Sequence, residues 1–218
     1  TGATHYNIRR ATSNGGPYST IATVAPPVTS FKDSTGGTNC YYVVSAVNEV
    51  GEGPNSAQFT IGWTNVDIGA VGIAGNCISS NTGTYSISAS GTTFGSTNDA
   101  FGCTYRSLTG DGTLIARLVN ANHSNARVGI MMSETLGTAP KAAFVYYNFN
   151  GSALKVQSSV RTTAGAYGQT QSSTITNVPV WLKLERSTNT FTGYASTNGT
   201  TWSAISTNTV SMTNTIFV

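Results

Sequence analysis

The chain has 218 residues, only 9% of them charged, and a net charge of +3 at neutral pH. Eleven basic residues spread along the chain are too few for a nucleic-acid-binding surface. No apolar run reaches the roughly 18 residues that a membrane-spanning helix needs. Thr, Ser, Asn and Gly number 35, 25, 19 and 24, nearly half of the chain. We therefore expect a protein that binds no nucleic acid, does not insert into a membrane and has a polar surface of small uncharged residues.

Alternation of apolar and polar residues recurs along the chain, and the spacing typical of helices is nearly absent. In chain order, alternating runs lie at residues 6–8, 40–46, 114–119, 156–161 and 182–185. Between them come clusters such as SNGG, SNTG, TGDGT and TNGT, whose Gly and Asn residues favour turns. Short alternating strands separated by turns predict an all-β fold built from sandwiches.

The first 61 residues contain three motifs in order: HYNIRRAT, GGPYSTIATV and SFKDSTGGTNCYYVVSAVNEVGEGPNS. Over residues 3–57 the block resembles a fibronectin type III module, and the third motif is the most specific part of the match. The resemblance implies a β-sandwich acting as a spacer. The block departs from the family in two ways: it lacks the first two strands, and Cys40 stands where relatives carry a tyrosine that bonds to the backbone.

Residues 62–218 contain a second series of motifs. They are WTNVDIG, TFGSTNDAF, GDGTLIARL, ARVGIMMSETL, RTTAGA and VWLKLERSTNTFTGYASTNGTTW. This block resembles the concanavalin A-like, laminin-G-type jelly-roll domains of bacterial secreted and surface proteins. The resemblance implies a second β-sandwich, an extracellular or cell-surface location, and glycan binding or adhesion.

We place the boundary between the two blocks at residues 61 and 62, because the first block holds four of the six prolines. Both blocks are expected to be clipped. The alternating strands of the first block have an apolar face that two absent strands should cover, and relatives of the second block continue beyond Val218. We expect neighbouring domains of a longer chain, or neighbouring protomers by strand addition, to complete them.

Three cysteines leave at least one thiol without a partner in this chain. Cys77 and Cys103 are the disulfide candidate, because both lie in the second block and an extracellular location favours the bond. Their spacing alone does not establish it. Since the sequence has no CxxC motif and no Cys/His cluster, we expect neither zinc nor another cofactor.

Catalysis is not expected, because the carboxylates are scattered. Glycoside hydrolases of the jelly-roll class need two facing carboxylates, yet no two acidic residues of the second block lie two or four positions apart. His123, the only histidine of that block, lies in a loop-like segment. A degenerate glycosidase is the minor alternative.

Asp67, Asp99 and Asp111 adjoin turn-like residues, and two interpretations stay open for them. The stronger is that they form turns. The alternative is a calcium site, which would need several converging oxygen ligands. We predict no metal.

The segment STNGTTW, residues 196–202, is similar to an Asp-box hairpin in which Asn198 replaces the aspartate. We expect side-chain hydrogen bonds to close this turn and Trp202 to pack beneath it. A ligand-binding role for Trp202 is the alternative.

Strand parity selects a candidate ligand-binding face. Where apolar residues point into the core, the alternate residues point outward; Tyr146 or Tyr147 adds an aromatic ring, and Met131 faces outward if its neighbours face inward. Stacking aromatics and planar polar groups suit a sugar. The candidates are Arg117, Met131, Tyr147, Gln157, Arg161 and Lys183. We expect Arg117, Gln157 and Arg161 to share one exposed face; the alternative is a solvated sheet face that binds nothing.

The sequence thus predicts two linked β-sandwich modules of a larger extracellular protein. The second is expected to bind glycan without catalysis, with the first as a spacer. The alternative is a structural repeat of an extracellular fibre or filament with no sugar ligand.

Overall fold

The structure, a computed structural model, describes residues 2–13, 15–35, 40–79, 84–122, 125–149 and 154–218; the candidate His123 lies outside them. The described residues form nineteen strands and no helix, so the prediction of an all-β fold is confirmed. Accordingly, they contain no helix of the length and apolarity that crossing a membrane requires.

The strands are short, and Gly-, Asn- or Ser-rich turns separate many of them, as the sequence predicts. They are β1 (His5–Ala11), β2 (Ser19–Val24), β3 (Cys40–Asn48), β4 (Gly51–Glu52), β5 (Phe59–Ile61), β6 (Thr64–Ile68), β7 (Asn76–Ser79), β8 (Tyr85–Ser88), β9 (Phe101–Tyr105), β10 (Ser107–Thr109), β11 (Gly112–Leu118), β12 (Arg127–Ser133), β13 (Ala142–Asn148), β14 (Lys155–Arg161), β15 (Gln169–Ser172), β16 (Val180–Ser187), β17 (Thr190–Ser196), β18 (Ser203–Thr209) and β19 (Thr215–Phe217).

The chain divides into two compact units. The first comprises residues 1–64 and 77–87, and the second comprises residues 65–76 and 88–218. Residues 77–87 therefore group with the first unit, whereas the boundary predicted from the sequence assigns them to the second block. Within the first unit, the rings of Trp63 and Tyr85 meet edge to face at 6.2 Å, which ties this segment to the residues that directly follow the first block.

The first unit contains a five-stranded antiparallel sheet in the order β2–β1–β3–β4, with β5 also paired to β3, and the short two-stranded sheet of β7 and β8. One face carries a polar network around Glu52. Its carboxylate accepts hydrogen bonds from the Ser45 hydroxyl, from Asn7 Nδ2 at 2.8 Å and from Arg9 at 2.7 Å. These hydrogen bonds, from Ser45 and Asn7 first, lower the pKa of Glu52.

The opposite face of this sheet is only partly covered. Ile8 is buried, but Val44, its partner in the register of β1 and β3, is 39% exposed. Val50, in the turn between β3 and β4, is 94% exposed, and Phe59, at the start of β5, is 65% exposed. The first unit therefore leaves apolar side chains in contact with solvent.

The second unit is a sandwich of two antiparallel sheets. The six-stranded sheet has the order β10–β19–β12–β13–β14–β15, and the four-stranded sheet has the order β11–β16–β17–β18. A short pair, β6 with β9, completes the unit. Contacts run from β12, β13 and β14 to β16, β17 and β18, so the two sheets face each other.

The core between these sheets is formed by one parity of each strand, as alternation requires. From the four-stranded sheet, Leu182, Leu184 and Phe191 point inward and are at most 2% exposed. From the six-stranded sheet, Val145 and Ser158 point inward, because a Cβ atom on Gly193 of β17 would approach both of them.

The middle of the six-stranded sheet is buried on its outer face as well. Every residue of β13 is buried, although one parity points away from the other sheet. The reason is a loop at residues 93–100, here called the covering loop, which is closed by a bridge between Thr93 and Ala100. Its Phe94 lies 5.4 Å from the ring of Phe144 and 4.7 Å from that of Tyr146, measured between centroids.

Candidate functional site

The six predicted ligand-binding residues do not share one face. Met131, Gln157 and Arg161 lie on the outer parity of the six-stranded sheet, whereas Arg117 and Lys183 lie on strands of the four-stranded sheet. The expectation that Arg117, Gln157 and Arg161 share a surface is therefore wrong. Local alternation gives the parity of a strand but not the sheet to which it belongs.

Arg161 was predicted to be exposed, but its side chain is fully buried. Its guanidinium forms an ion pair with Asp99 at 2.7 Å, and Asp99 is 1% exposed. It also donates hydrogen bonds to the backbone carbonyls of Ala166 and Pro140, both at 2.9 Å, and of Ser96. Arg161 thus fastens the covering loop and two further loops over the sheet, and no ligand reaches it.

Tyr147 is also unsuited to contact a ligand. It is 2% exposed, it belongs to the inward parity with Val145, and its hydroxyl donates a hydrogen bond to the carbonyl of Thr176. Burial raises its pKa. Tyr146 has the outward parity, but Phe94 covers it and it is 6% exposed.

Met131 and Gln157 lie beside the covered region. Met131 packs against the cluster of Ala142, Phe144 and Tyr146. Gln157 is half-buried; its amide accepts a hydrogen bond from Asn148 and donates one to Ser172. The protein itself therefore occupies the middle of the outer face of the six-stranded sheet.

The outer face of the four-stranded sheet is more open, and the remaining two candidates lie on it. In the register, Arg117 of β11 faces Trp181 of β16, and Lys183 faces Tyr194 of β17. Leu182 and Leu184 point into the core, so their neighbours on β16 point outward. Arg117 is exposed, and Trp181, Lys183 and Tyr194 are half-buried. This surface is here called the open face.

Lys183 lies at the centre of the open face between two aromatic rings. Its ammonium nitrogen is 3.9 Å from the centroid of Tyr194 and 5.1 Å from that of Trp202. The same nitrogen is 3.7 Å from Glu185 Oε2. Cation–π attraction holds the lysine stem between the rings, so the open face presents two aromatic rings, an ammonium group and a carboxylate as one ordered cluster.

The turn at residues 196–202 borders the open face and is closed by side chains, as predicted. Asn198 Oδ1 accepts hydrogen bonds from the backbone N–H groups of Thr200 at 2.9 Å and Thr201 at 2.8 Å. The ring beneath the turn, however, is that of Trp181, since a Cβ atom on Gly199 would lie 2.8 Å from it. Trp202 is half-exposed beside Lys183, so the expectation that it packs under the turn is wrong.

Sequence reasoning did not select Trp181 and Tyr194. The signal was available. Trp181 has the parity of Lys183 on β16, and Tyr194 faces Lys183 once β16 and β17 are read as an antiparallel hairpin with Thr188 and Asn189 at its turn.

The carboxylates of the second unit are engaged by the protein. Asp111 accepts a hydrogen bond from the backbone N–H of Thr188 at 2.6 Å, and Asp67 accepts one from that of Gly75 at 3.0 Å. Glu134 pairs with Lys141 at 2.9 Å. Within the described ranges, no three His, Cys, Asp or Glu side chains gather in a group able to hold a metal ion.

The structure contains no disulfide among its three cysteines, all of which are described. The expected bridge between Cys77 and Cys103 is therefore not formed in it, and the two residues belong to different units. Cys77 instead shares a unit with Cys40, contrary to the prediction. Burial, with the nearby charge of Asp67, raises the pKa of Cys103 to about 11.

Comparison of the chain with protein-family models, with curated proteins and with solved structures gives no match. The candidate site is therefore judged on its own geometry.

Proposed function

We propose that this chain is a non-catalytic, extracellular pair of modules that binds glycan through the open face of its second unit. The proposal keeps the fibronectin-like and jelly-roll resemblances as its background, with the first unit as a spacer. The observation that carries it is the cluster of Lys183 with Tyr194 and Trp202 on an ordered sheet surface.

The chemistry of this cluster suits a sugar. A pyranose has an apolar face, which packs on an aromatic ring, and a rim of hydroxyl groups, which need donors and acceptors. Tyr194 and Trp202 supply half-exposed rings. Lys183 donates hydrogen bonds and Glu185 accepts them, so both kinds of polar partner stand beside the rings.

The open face is also preferred because of its rigidity. Tyr194 and Lys183 stand on two central strands of a four-stranded sheet, and the packed turn at residues 196–202 fixes the approach to Trp202. A preformed surface loses little conformational entropy when a ligand binds. The opposite outer face offers less room, because the covering loop occupies it.

A glycan array probed with the full chain is the first test, followed by calorimetry with the best ligand. We expect Trp202→Ala and Tyr194→Ala to weaken binding at least about tenfold, since each removes a stacking ring. Tyr167→Ala is the matched control, because Tyr167 is 72% exposed and lies in the loop after β14, away from this face.

Unchanged affinity in both aromatic variants would show that the ligand binds somewhere other than the open face. Absence of any binding across the array would refute the proposed function. Each variant is first checked for a cooperative unfolding transition, so that loss of binding is not confused with loss of fold.

A second candidate, a structural repeat of an extracellular fibre, is favoured by the exposed apolar residues of the first unit. Val44 and Phe59 are 39% and 65% exposed on one sheet, and such patches are typical of contact surfaces. Light scattering over a concentration series tests it. Concentration-dependent assembly that Val44→Thr abolishes would support this candidate, and a monomer at all concentrations would eliminate it.

A further inference from the structure

Arg117 is an exposed arginine whose guanidinium has no partner among the described residues. Among the residues that the structure describes, its guanidinium forms no ion pair and no hydrogen bond with any side chain or backbone group. Two other arginines of the second unit are used differently. Arg161 is buried against Asp99, and Arg186 donates hydrogen bonds to three backbone carbonyls while 5% exposed.

The position of Arg117 places its charge beside the aromatic cluster. It faces Trp181 across the register of β11 and β16, and Lys183 is its diagonal neighbour two residues along β16. Diagonal neighbours on one face of a sheet lie about 7–8 Å apart, within reach of an arginine side chain. The carboxylate of Glu185, which shares the outward parity on β16, lies on the far side of Lys183 from Arg117 and is 3.7 Å from the lysine ammonium.

The charge of the molecule is concentrated in the same unit. Eight of the eleven basic residues and five of the eight acidic residues lie in the second unit, so the net charge of +3 belongs to it. The first unit has three of each and is neutral. Long-range attraction therefore draws an anionic ligand to the unit that carries the open face.

We infer that the ligand of the open face is an acidic glycan and that Arg117 binds its anionic group. This inference rests on the proposed function. The guanidinium plane offers two parallel N–H donors to a carboxylate or a sulfate, while the rings of Tyr194 and Trp202 hold an adjoining sugar. Carboxylate and sulfate present the same chemistry to arginine, and the test separates them.

The test compares three glycans on the full chain by calorimetry: a neutral lactose-terminated oligosaccharide, its sialylated derivative and its sulfated derivative. We expect an acidic form to bind at least about tenfold more tightly than the neutral parent, because a hydrogen bond to a charged group is stronger than one between neutral groups. We also expect this preference to weaken as salt is raised from 50 to about 500 mM.

Arg117→Gln should abolish the preference for the acidic form over its neutral parent. Arg117→Lys should retain part of it, since lysine supplies charge without the two parallel donors. Lys155→Gln is the control for net charge, because it removes one positive charge from the other sheet and should leave the preference intact.

Each outcome is decisive. A preference for the sialylated or for the sulfated form that depends on Arg117 supports the inference and names the anionic group. Equal binding of neutral and acidic forms overturns the inference and leaves the proposed function standing. If Arg117→Gln and Lys155→Gln lose the preference for the acidic form equally, the assignment to Arg117 is overturned. If the full chain binds none of the three glycans and no other glycan on the array, both proposals are refuted.

Discussion

Arg117 and Arg161 show how differently the two outer faces of the second unit are used. Both are arginines near the C-terminal end of a strand, and both were predicted to point toward solvent. Arg117 is exposed on the open face, whereas Arg161 is 0% exposed beneath the covering loop, with four protein acceptors. The difference arises from the loops that pack over each face, because both arginines have the outward parity on their strands.

The comparison teaches that an outward-pointing residue of a sandwich is not necessarily a surface residue. On the six-stranded sheet, Phe94 and Asp99 of the covering loop supply an apolar layer and a countercharge. On the four-stranded sheet, the turn at residues 196–202 covers Trp181 and leaves the rest of the face open. One face therefore contributes to stability and the other is available for contact.

The largest expected effect is on the buried arginine. Arg161→Ala leaves Asp99 charged and buried without its partner, which should lower the free energy of unfolding by about 3–5 kcal/mol. Arg117→Ala is the matched control and should change it by less than about 0.5 kcal/mol. Urea denaturation followed by tryptophan fluorescence measures both. Similar effects in the two variants would contradict the distinction between the faces.

The covering loop itself is tested by its aromatic residue. Phe94→Ala removes the ring that packs on Phe144 and Tyr146, and since Phe94 is only half-buried we expect a loss of about 2 kcal/mol. The exposed sheet should then bind a hydrophobic dye. Tyr167→Ala, an aromatic truncation in an exposed loop, should neither lower the free energy of unfolding nor cause dye binding. A stable Phe94 variant that binds no dye would mean that the loop does not need this ring.

On the open face, the lysine between the rings should matter less for stability. Lys183→Ala removes the cation–π contacts with Tyr194 and Trp202, and we expect a loss of about 0.5–1 kcal/mol. The emission of Trp202 should also shift as its surroundings change. Lys155→Ala serves as the control on the other sheet. A loss above about 2 kcal/mol would place Lys183 among the structural residues instead.

The smallest expected effect is a gain in stability at the turn bordering the open face. In Asn198→Asp, a carboxylate would accept the hydrogen bonds from Thr200 and Thr201, and charge-assisted hydrogen bonds are stronger than neutral ones. We expect the free energy of unfolding to rise by about 0.5 kcal/mol, and Asn198→Ala to lower it by about 1 kcal/mol. A melting curve at neutral pH distinguishes the two, and a fall with aspartate would contradict the assigned geometry.

Much of the fold could be predicted because alternation reports directly on side-chain direction. Leu182 and Leu184 point inward where the pattern places them, and Val156 and Val160 are buried on β14. The run AAFVYYN of β13 also carries a signal in the sequence. A continuous apolar strand indicates burial on both faces, and β13 is buried along its whole length.

The site could be predicted only in part. Arg117 and Lys183 point outward, as their parity predicts, although Lys183 is half-buried between two rings. The pattern could not tell that β11 and β14 belong to different sheets. Arg161 was predicted to be exposed because the covering loop has no periodic pattern from which a layer over the sheet could be predicted. Which loop crosses which sheet depends on contacts between distant residues, such as that of Asp99 with Arg161.

The hydrogen bonds of Arg161 also bear on the order of events in folding. They join one side chain to Ser96 and Asp99, more than 60 positions earlier in the chain, and to Pro140, 21 positions earlier. Contacts that close such long segments form after the local hairpins, because their entropic cost must be met first. A residue whose contacts form late acts mainly on the rate of unfolding. Arg161 is thus expected to slow the opening of the native state while leaving the rate of folding nearly unchanged.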